Sequence, residues 1–301
     1  MKDFFNFTLL LIFILSFYSF NAQQRAEVIE VPKFKNPKFE TNNGPQIYVD
    51  HLHNNFHKIS GRFKPFADLM KNDGYKVDSL SNYNQLSITD ILVISNALNL
   101  KNIGNWRRPI YDAFTAEEIS MLKKWVESGG SLLLIADHMP MAGAAKTLAK
   151  AFGFEFCDGF AFLNKKQQNS PDIFSIENKR LLSNNLINEE FFSLTSFTGS
   201  SFSIPKNAQG ILKFTKDDYC LAPEVAWQFN KDTPRTSLEN KYQGAILEYG
   251  KGKIAVFGEA AMFTAQTVTN ESGTFKFGFH SKNAPNNINF IRELMYWLSK
   301  Y

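Results

Sequence analysis

"SLLLIADHMPMAGAA" (residues 131–145) decides the fold class of this chain. It begins with four consecutive apolar residues, Leu132 to Ile135, and a short apolar run of this kind is typical of a strand covered on both faces. Asp137 and His138 follow, and the small residues after Pro140 favour a helix over residues 142–152. A buried strand that ends in a carboxylate and an imidazole suggests that the strand end forms the floor of a site.

The flanking sequence repeats this alternation of strand and helix. Residues 115–130, "TAEEISMLKKWVESGG", carry a capping box of Thr115 with Glu118, and their apolar stripe predicts a helix that stops at the glycine pair. "QIYVD" (46–50) and "DILVISNAL" (90–98) are strand candidates, and residues 244–263 predict a hairpin around Gly250-Lys251-Gly252. Strands and helices alternating at this spacing indicate an α/β fold with a parallel sheet.

The termini and the middle of the chain differ from this pattern. Residues 1–22 combine Lys2, an apolar block and Ala22, which predicts a signal peptide, with an uncleaved N-terminal anchor helix as the alternative. Residues 23–44 are polar and contain prolines, so we expect an extended linker. Residues 45–301 then form a single α/β domain, with an irregular, loop-rich insertion at about 158–242. We expect an exported protein, periplasmic or secreted, with no membrane span in the mature chain.

Composition narrows the classes of partner. The net charge is +4 and the chain has no run of Lys or Arg, so we expect no nucleic-acid partner. The two cysteines, Cys157 and Cys220, either pair in an oxidising compartment or are two small buried residues, and the sequence leaves both alternatives open.

Polar residues follow three of the strand candidates. The first ends in Asp50 and is followed by His51, His53 and His57, the central one is followed by Asp137-His138, and the late one by Glu259. In open α/β sheets, ligands bind at the carboxyl ends of the strands. The predicted catalytic set therefore consists of Asp50, His53, Asp137, His138 and Glu259.

The same residues allow three kinds of site. Imidazole and carboxylate are zinc-type ligands, so a divalent metal held by His51, His53, His57 and His138 is one hypothesis, although the chain has no HExxH motif. General acid–base catalysis is the second, and a ligand site without turnover is the third. A purely structural alternative is that Asp137 caps the next helix while Glu259 pairs with Arg62 or with a backbone amide.

Several motifs carry a resemblance to a known family. These are D-x-x-H-x-N-x-H from Asp50, GGSLLLIADHMP-x-x-GAA from Gly129, FTGSSF from Phe197, GKGKIAVFGEAAMFTAQ from Gly250, and N-x-x-F with a later WL from Asn287. Together they resemble the DUF4350-like group of bacterial proteins of unknown function, over about residues 47–298. The resemblance implies a class I glutamine amidotransferase-like fold, in which a flavodoxin-like parallel sheet is sandwiched by helices.

The chain departs from working glutaminases of that fold at one position. Those enzymes place a cysteine on the turn after a central strand, whereas the matching turn here reads Ala136-Asp137-His138-Met139. The comparison therefore argues against a Cys-dependent glutaminase. Two hypotheses remain: a hydrolase that uses the His and carboxylate groups, and a non-catalytic binding module of the cell envelope. In either case the partner is a small molecule, a glycan or a peptide, and Trp106 or Trp227 could supply an aromatic wall.

Overall fold

The computed structural model describes residues 23–27, 29–165, 170–184, 186–187, 191–270 and 273–299. The predicted signal peptide, residues 1–22, lies outside the described residues. The helices are α1 Lys64–Asn72, α2 Ala116–Glu127, α3 Met141–Ala151 and α4 Asn287–Leu298. Short 3₁₀ turns span Tyr83–Gln85, Leu100–Asn102 and Ala261–Phe263.

Most of the described strands are short. In chain order they are β1 Gln23–Ala26, β2 Gln46–Asp50, β3 Lys76–Leu80, β4 Ile91–Ser95, β5 Ser131–Ile135, β6 Glu155–Cys157, β7 Phe160–Phe162, β8 Asp172–Ser175, β9 Ser193–Ser196, β10 Ser201–Ser203, β11 Gln209–Lys213, β12 Tyr219–Leu221, β13 Arg235–Ser237, β14 Tyr242–Tyr249, β15 Gly252–Phe257, β16 Ala265–Asn270 and β17 Gly273–Gly278.

A large central sheet organises the molecule. Its strand order is β3-β2-β4-β5-β15-β14-β10-β6, and β11 also pairs with β14. The five strands from β3 to β15 are parallel, whereas β14 joins β15 through the predicted hairpin and is antiparallel to it. The expected α/β class with a mainly parallel sheet is confirmed. Strands β2, β5 and β15, which end at or just before Asp50, Asp137 and Glu259, are parallel members of this sheet.

The strands are buried because successive side chains alternate between two apolar layers. On β4 and β5, Ile91, Val93, Leu133 and Ile135 face a core that contains residues of α1 and α4. Leu92, Ile94, Leu132 and Leu134 face the opposite core, together with residues of α2 and α3. Continuous apolar runs are therefore required, since both faces of the sheet are covered by helices.

The expected linker lies against the domain. Strand β1 pairs antiparallel with β16, Val31 is buried, and the backbone N–H of Lys38 donates to Asp73. The few apolar residues of this arm are too widely spaced to produce a periodic pattern, which is why the sequence predicted only an extended segment.

The irregular region 158–242 adds strands as well as loops. Strands β10 and β11 extend the central sheet, while β13-β12-β7 and β8-β9 form two small sheets beside it. Cys157 and Cys220 form a disulfide, which ties β6 to β12. None of the helices in the described part of the chain is long and apolar enough to cross a membrane.

Candidate functional site

A cavity of about 570 Å³ opens at the carboxyl ends of the parallel strands. One part of its lining is aromatic and consists of Phe56, Trp106, Phe197, Trp227 and Phe277. Another part is polar and includes His57, Arg62, Asn96, Asp137, His138 and Gln266. The segments after β2, β4 and β5 supply one side, and the β16–β17 hairpin supplies the other.

Asn96 joins three of these segments. It follows β4 in the left-handed region, with φ of 59°, which asparagine tolerates better than most residues. Its side-chain oxygen accepts the backbone N–H of Asp137 at 2.9 Å, and its amide nitrogen lies 3.2 Å from Nδ1 of His57. The N–H of Asp137 fixes the orientation of the amide, so Nδ1 of His57 is an acceptor and Nε2 carries the proton.

His57 is held as a neutral imidazole. Its side chain is buried, and burial, with smaller contributions from Arg62 and His138, lowers its pKa to about 3. The hydroxyl of Ser95 lies 3.3 Å from Nδ1. His57 therefore presents an uncharged N–H donor at the cavity wall over the physiological pH range.

His138 has the opposite hydrogen-bonding role. Its Nδ1 donates to the carbonyl of Met139 at 2.7 Å, which makes Nε2 the acceptor in the neutral imidazole. Phe160 stacks on the ring at a centroid distance of 4.5 Å, and the edge of Trp227 packs against it at 4.6 Å. Among the described residues no group hydrogen-bonds Nε2, so this atom is available to a ligand.

The two carboxylates at the floor of the site, those of Asp137 and Glu259, differ in burial and in hydrogen bonding. Asp137 lines the cavity, and its Oδ1 accepts the N–H of His138 at 2.7 Å. Glu259 is fully buried below it, and its two oxygens accept the N–H groups of Ala261 and Met262, each at 2.7 Å. Burial and the charge of Asp137 raise the pKa of Glu259 well above its usual value. The structural alternative predicted that Glu259 pairs with Arg62 or with a backbone amide, and backbone amides are the partners observed.

Asp50 and His53 belong to a second cluster. Oδ2 of Asp50 accepts from Nδ1 of His53 at 2.8 Å and from Asn55 at 2.5 Å. Nε2 of His53 lies 3.3 Å from the hydroxyl of Tyr83 and 3.4 Å from Glu118. Burial lowers the pKa of His53, but the hydrogen bond and charge of Asp50, together with Glu118, outweigh it and raise that pKa. The expected five-residue set is therefore divided, because only Asp137 and His138 line the cavity.

The four histidines of the metal hypothesis do not converge. His51 lies 3.4 Å from the hydroxyl of Ser79, and His53 is engaged by Asp50, whereas His57 and His138 line the cavity. Within the described residues, no group of three or more His, Cys, Asp or Glu side chains is arranged to hold a metal ion.

Gln266 is a cavity residue that the sequence did not single out. It is 1% exposed, and its amide nitrogen donates to the hydroxyl of Thr264, which itself donates to the carbonyl of Ala261. This chain of donors fixes the amide orientation, and Oε1 has no hydrogen-bond partner in the described structure. The alternation in "AQTVTN" resembles an ordinary half-exposed strand, so the sequence carried no signal for this orphaned acceptor.

Comparisons with known proteins give a fold likeness. No family model and no curated protein matches this chain. Among solved structures, the mmIFT52 N-terminal domain is 15% identical, with a TM-score of 0.59 over 85% of this chain and 98% of that one.

Two further solved structures are more distant. Cytoplasmic Protein STM3548 from Salmonella typhimurium is 10% identical, with a TM-score of 0.45 over 84% of this chain and 98% of that one. The E323A catalytic mutant of Gan42B, a GH42 beta-galactosidase from G. stearothermophilus, is 14% identical, with a TM-score of 0.43 over 85% of this chain and 30% of that one. None of these three names is that of a glutamine amidotransferase. The likeness to the mmIFT52 domain concerns the fold alone.

Proposed function

We propose that this protein binds a hydroxyl-rich small molecule, a sugar, with an uncharged sugar unit in the cavity at the carboxyl edge of the sheet. The observation that carries the proposal is Gln266, which lines an aromatic-walled cavity and whose buried Oε1 has no hydrogen-bond partner among the described residues. Leaving such a group unpaired costs about 1–3 kcal/mol. A ligand hydroxyl that donates to this oxygen would recover that free energy.

The other polar groups suit the same ligand. The carboxylate of Asp137 and Nε2 of His138 accept hydrogen bonds, while the neutral His57 donates one. A hydroxyl group both donates and accepts, so a single polyol matches all of these wall atoms.

The balance of charge favours a neutral molecule. Asp137 and Arg62 both line the cavity and carry opposite charges. Because these two charges offset each other, neither an anionic nor a cationic group is favoured over an uncharged one at this position.

The size and the walls of the cavity also support a sugar. Its volume of about 570 Å³ lies within the range of small-molecule sites. Trp106 and Trp227 line it, and the apolar C–H face of a pyranose packs well against flat aromatic rings.

Hydrolysis of the same class of ligand is the second candidate function. It is favoured by Asp137 and His138, because these two members of the predicted catalytic set line the cavity and a carboxylate and an imidazole can both transfer protons. In this mechanism Nε2 of His138 would take a proton from the water molecule that attacks the sugar carbon and would return it to the oxygen of the departing group as the glycosidic bond breaks. A thiolate glutaminase is disfavoured, since the turn after β5 lacks a cysteine and the two cysteines of the chain are paired.

The finer fold and the family are part of the proposal. Counted along the chain, the five parallel strands follow the order 2-1-3-4-5, which is the flavodoxin-like order. This order supports the flavodoxin-like, class I glutamine amidotransferase-like arrangement, whereas membership of the DUF4350-like group is proposed on the sequence motifs that begin at Asp50, Gly129, Phe197, Gly250 and Asn287. Export from the cytoplasm is supported by the N-terminal apolar block and by the Cys157–Cys220 disulfide.

Calorimetric titration with neutral hexoses (glucose, galactose and mannose) tests the binding function. Wild type is compared with Gln266→Met, and with Gln209→Met on β11, outside the cavity, as the matched control. We expect at least one hexose to bind wild type and the Gln209 variant equally, and Gln266→Met to bind it about tenfold more weakly, which corresponds to 1.4 kcal/mol. Absence of binding by all three hexoses, or unchanged affinity in Gln266→Met, would overturn the proposal.

A further inference from the structure

A second cavity of about 540 Å³ adjoins the first. It is formed by the segments at 54–62 and 98–106. Three residues, Phe56, Arg62 and Trp106, line both cavities. These three side chains therefore form walls that the two cavities share.

The partition between the cavities is an aromatic pair with a cation beside it. The rings of Phe56 and Trp106 meet edge to face, with centroids 5.6 Å apart, and the guanidinium of Arg62 lies 4.4 Å from the Phe56 centroid. Phe56 is 38% exposed, so the top of the partition borders solvent. A ligand with two linked rings could cross it and keep an aromatic surface under each ring.

The second cavity differs from the first in charge. Its lining contains Lys58 and Arg62, and no Asp or Glu is among the described residues that line it. Both cations belong to one turn, in which the N–H groups of Gly61 and Phe63 donate to the carbonyl of Lys58. Burial lowers the pKa of His51, and the positive charge of Lys58 lowers it further, so this charge acts on a neighbouring group.

We infer that the ligand is an acidic oligosaccharide of at least two linked units. The neutral unit lies in the first cavity against Asp137 and Gln266, and the unit in the second cavity carries an anionic group, a carboxylate or a sulfate, that pairs with Lys58. This inference rests on the proposed sugar-binding function and names its ligand class. Asp137 lines the first cavity, whereas no Asp or Glu among the described residues lines the second, so the anionic unit is favoured in the second cavity.

The test uses calorimetric titration of the mature protein with four probes. These are the hexose that binds best, its neutral disaccharide, and two acidic disaccharides in which the second unit is a uronate or a sulfated hexose. Proteins are wild type, Lys58→Met and, as matched control, Lys251→Met in the exposed β14–β15 turn. We expect one acidic disaccharide to bind wild type about tenfold more tightly than the neutral one. Lys58→Met, or 0.5 M salt, should reduce that advantage to less than about threefold, whereas Lys251→Met should keep it.

The outcomes separate the two proposals. If no hexose and no disaccharide binds, the sugar-binding function itself fails. If a hexose binds but neither acidic disaccharide binds more tightly than the neutral one, the binding function stands and the acidic oligosaccharide is ruled out. An advantage that survives in Lys58→Met also overturns the inference. The uronate and sulfate arms identify the anionic group.

Discussion

Two imidazoles in the cavity, His57 and His138, have opposite hydrogen-bonding roles because of their Nδ1 partners. An amide N–H faces Nδ1 of His57, whereas a backbone carbonyl faces Nδ1 of His138. The first ring thus offers a donor to the cavity and the second an acceptor. These roles depend on Asn96 and Met139, which hold the rings but do not themselves need to touch a ligand.

The buried His57 predicts a pH-dependent difference in stability. Its pKa is about 3 in the folded protein, below the usual 6.5. Between these two pH values the imidazole is protonated in the unfolded chain and neutral in the folded chain. This contribution to stability is present above pH 6.5 and is lost as pH falls toward 3. We expect the free energy of unfolding of wild type, minus that of His57→Gln, to fall by about 1.4 kcal/mol per pH unit between pH 6 and 4.

Urea unfolding of both proteins at each pH measures this difference. Other titrating groups, including Glu259 with its raised pKa, are present in both proteins, so their pH dependence cancels in the subtraction. If the two stability curves run parallel from pH 6 to 4, folded His57 takes up a proton as readily as the unfolded chain, and the neutral donor role is wrong.

His138→Asn distinguishes a ligand-binding role for His138 from a structural one. Asparagine loses the stacking on Phe160 and the edge contact with Trp227, for which we expect a cost of about 1 kcal/mol. Loss of the Nε2 acceptor should weaken binding of the best hexose about tenfold. Thermal unfolding and calorimetry on the same samples measure both effects, with His51→Asn as the control outside the cavity. A lower melting temperature with unchanged affinity would make His138 purely structural.

At this scale the sequence predicted residues that follow strand ends and missed those positioned by tertiary packing. Asp137 and His138 were found because they follow the apolar run of β5 directly. Asp50 also ends a strand, but it binds His53, and the loop after β2 directs His53 toward Tyr83 and Glu118, so neither residue lines the cavity. Gln266 could not be predicted, since its orphaned oxygen exists only once β16 lies against the domain.

At the scale of elements, helix α2 shows how local signals determine structure. Thr115 accepts the N–H of Glu118 at 3.2 Å, and Glu118 accepts the N–H of Thr115 at 2.8 Å. The same Glu118 also faces His53, so the capping box connects the start of α2 to the cluster at the end of β2.

Thr115→Ala should therefore destabilise the protein. Removing the cap leaves the N–H of Glu118 without its partner and is expected to lower the free energy of unfolding by about 1 kcal/mol. The control is Ser120→Ala, in the exposed middle of α2, which should leave stability unchanged or raise it slightly because alanine favours helices. Urea unfolding compares the three proteins. Equal stability of Thr115→Ala and Ser120→Ala would show that the capping box contributes nothing measurable.

Helices and strands whose apolar residues recur at a regular spacing were predictable from the sequence, and those without such a spacing were not. The buried strands β4 and β5, helix α2 and the β14–β15 hairpin all follow from apolar runs, caps and glycine turns. The arm strand β1 and the strands of the small sheets in region 158–242 are only three or four residues long, too short to show a period, and pairing with other strands stabilises them. Strand β1, for example, forms only because β16, about 240 residues later, offers an edge.

For the whole molecule, the parallel topology explains why distant residues share one cavity. Strands β2, β4, β5 and β15 all end at the same edge, so the segments that follow them meet there although they are separated by up to about 200 residues. The disulfide Cys157–Cys220 adds a covalent link between β6 and β12, next to the strand that bears Phe160. The sheet and this link together hold the wall against which His138 and Trp227 pack.

The Cys157–Cys220 disulfide also bears on where in the cell the protein is located. Closing a loop of 63 residues is expected to stabilise the fold by about 4 kcal/mol in the chain-entropy model, and such a bond persists in oxidising compartments but not in the cytosol. Protein purified from the cell envelope should therefore begin near Gln23, contain no free thiol, and lose about 4 kcal/mol of unfolding free energy on reduction. N-terminal sequencing, thiol titration and urea unfolding measure these three properties, and Cys157→Ser/Cys220→Ser should match the reduced wild type. Recovery of the protein from the cytoplasm with Met1 intact and two reactive thiols would contradict the export proposal.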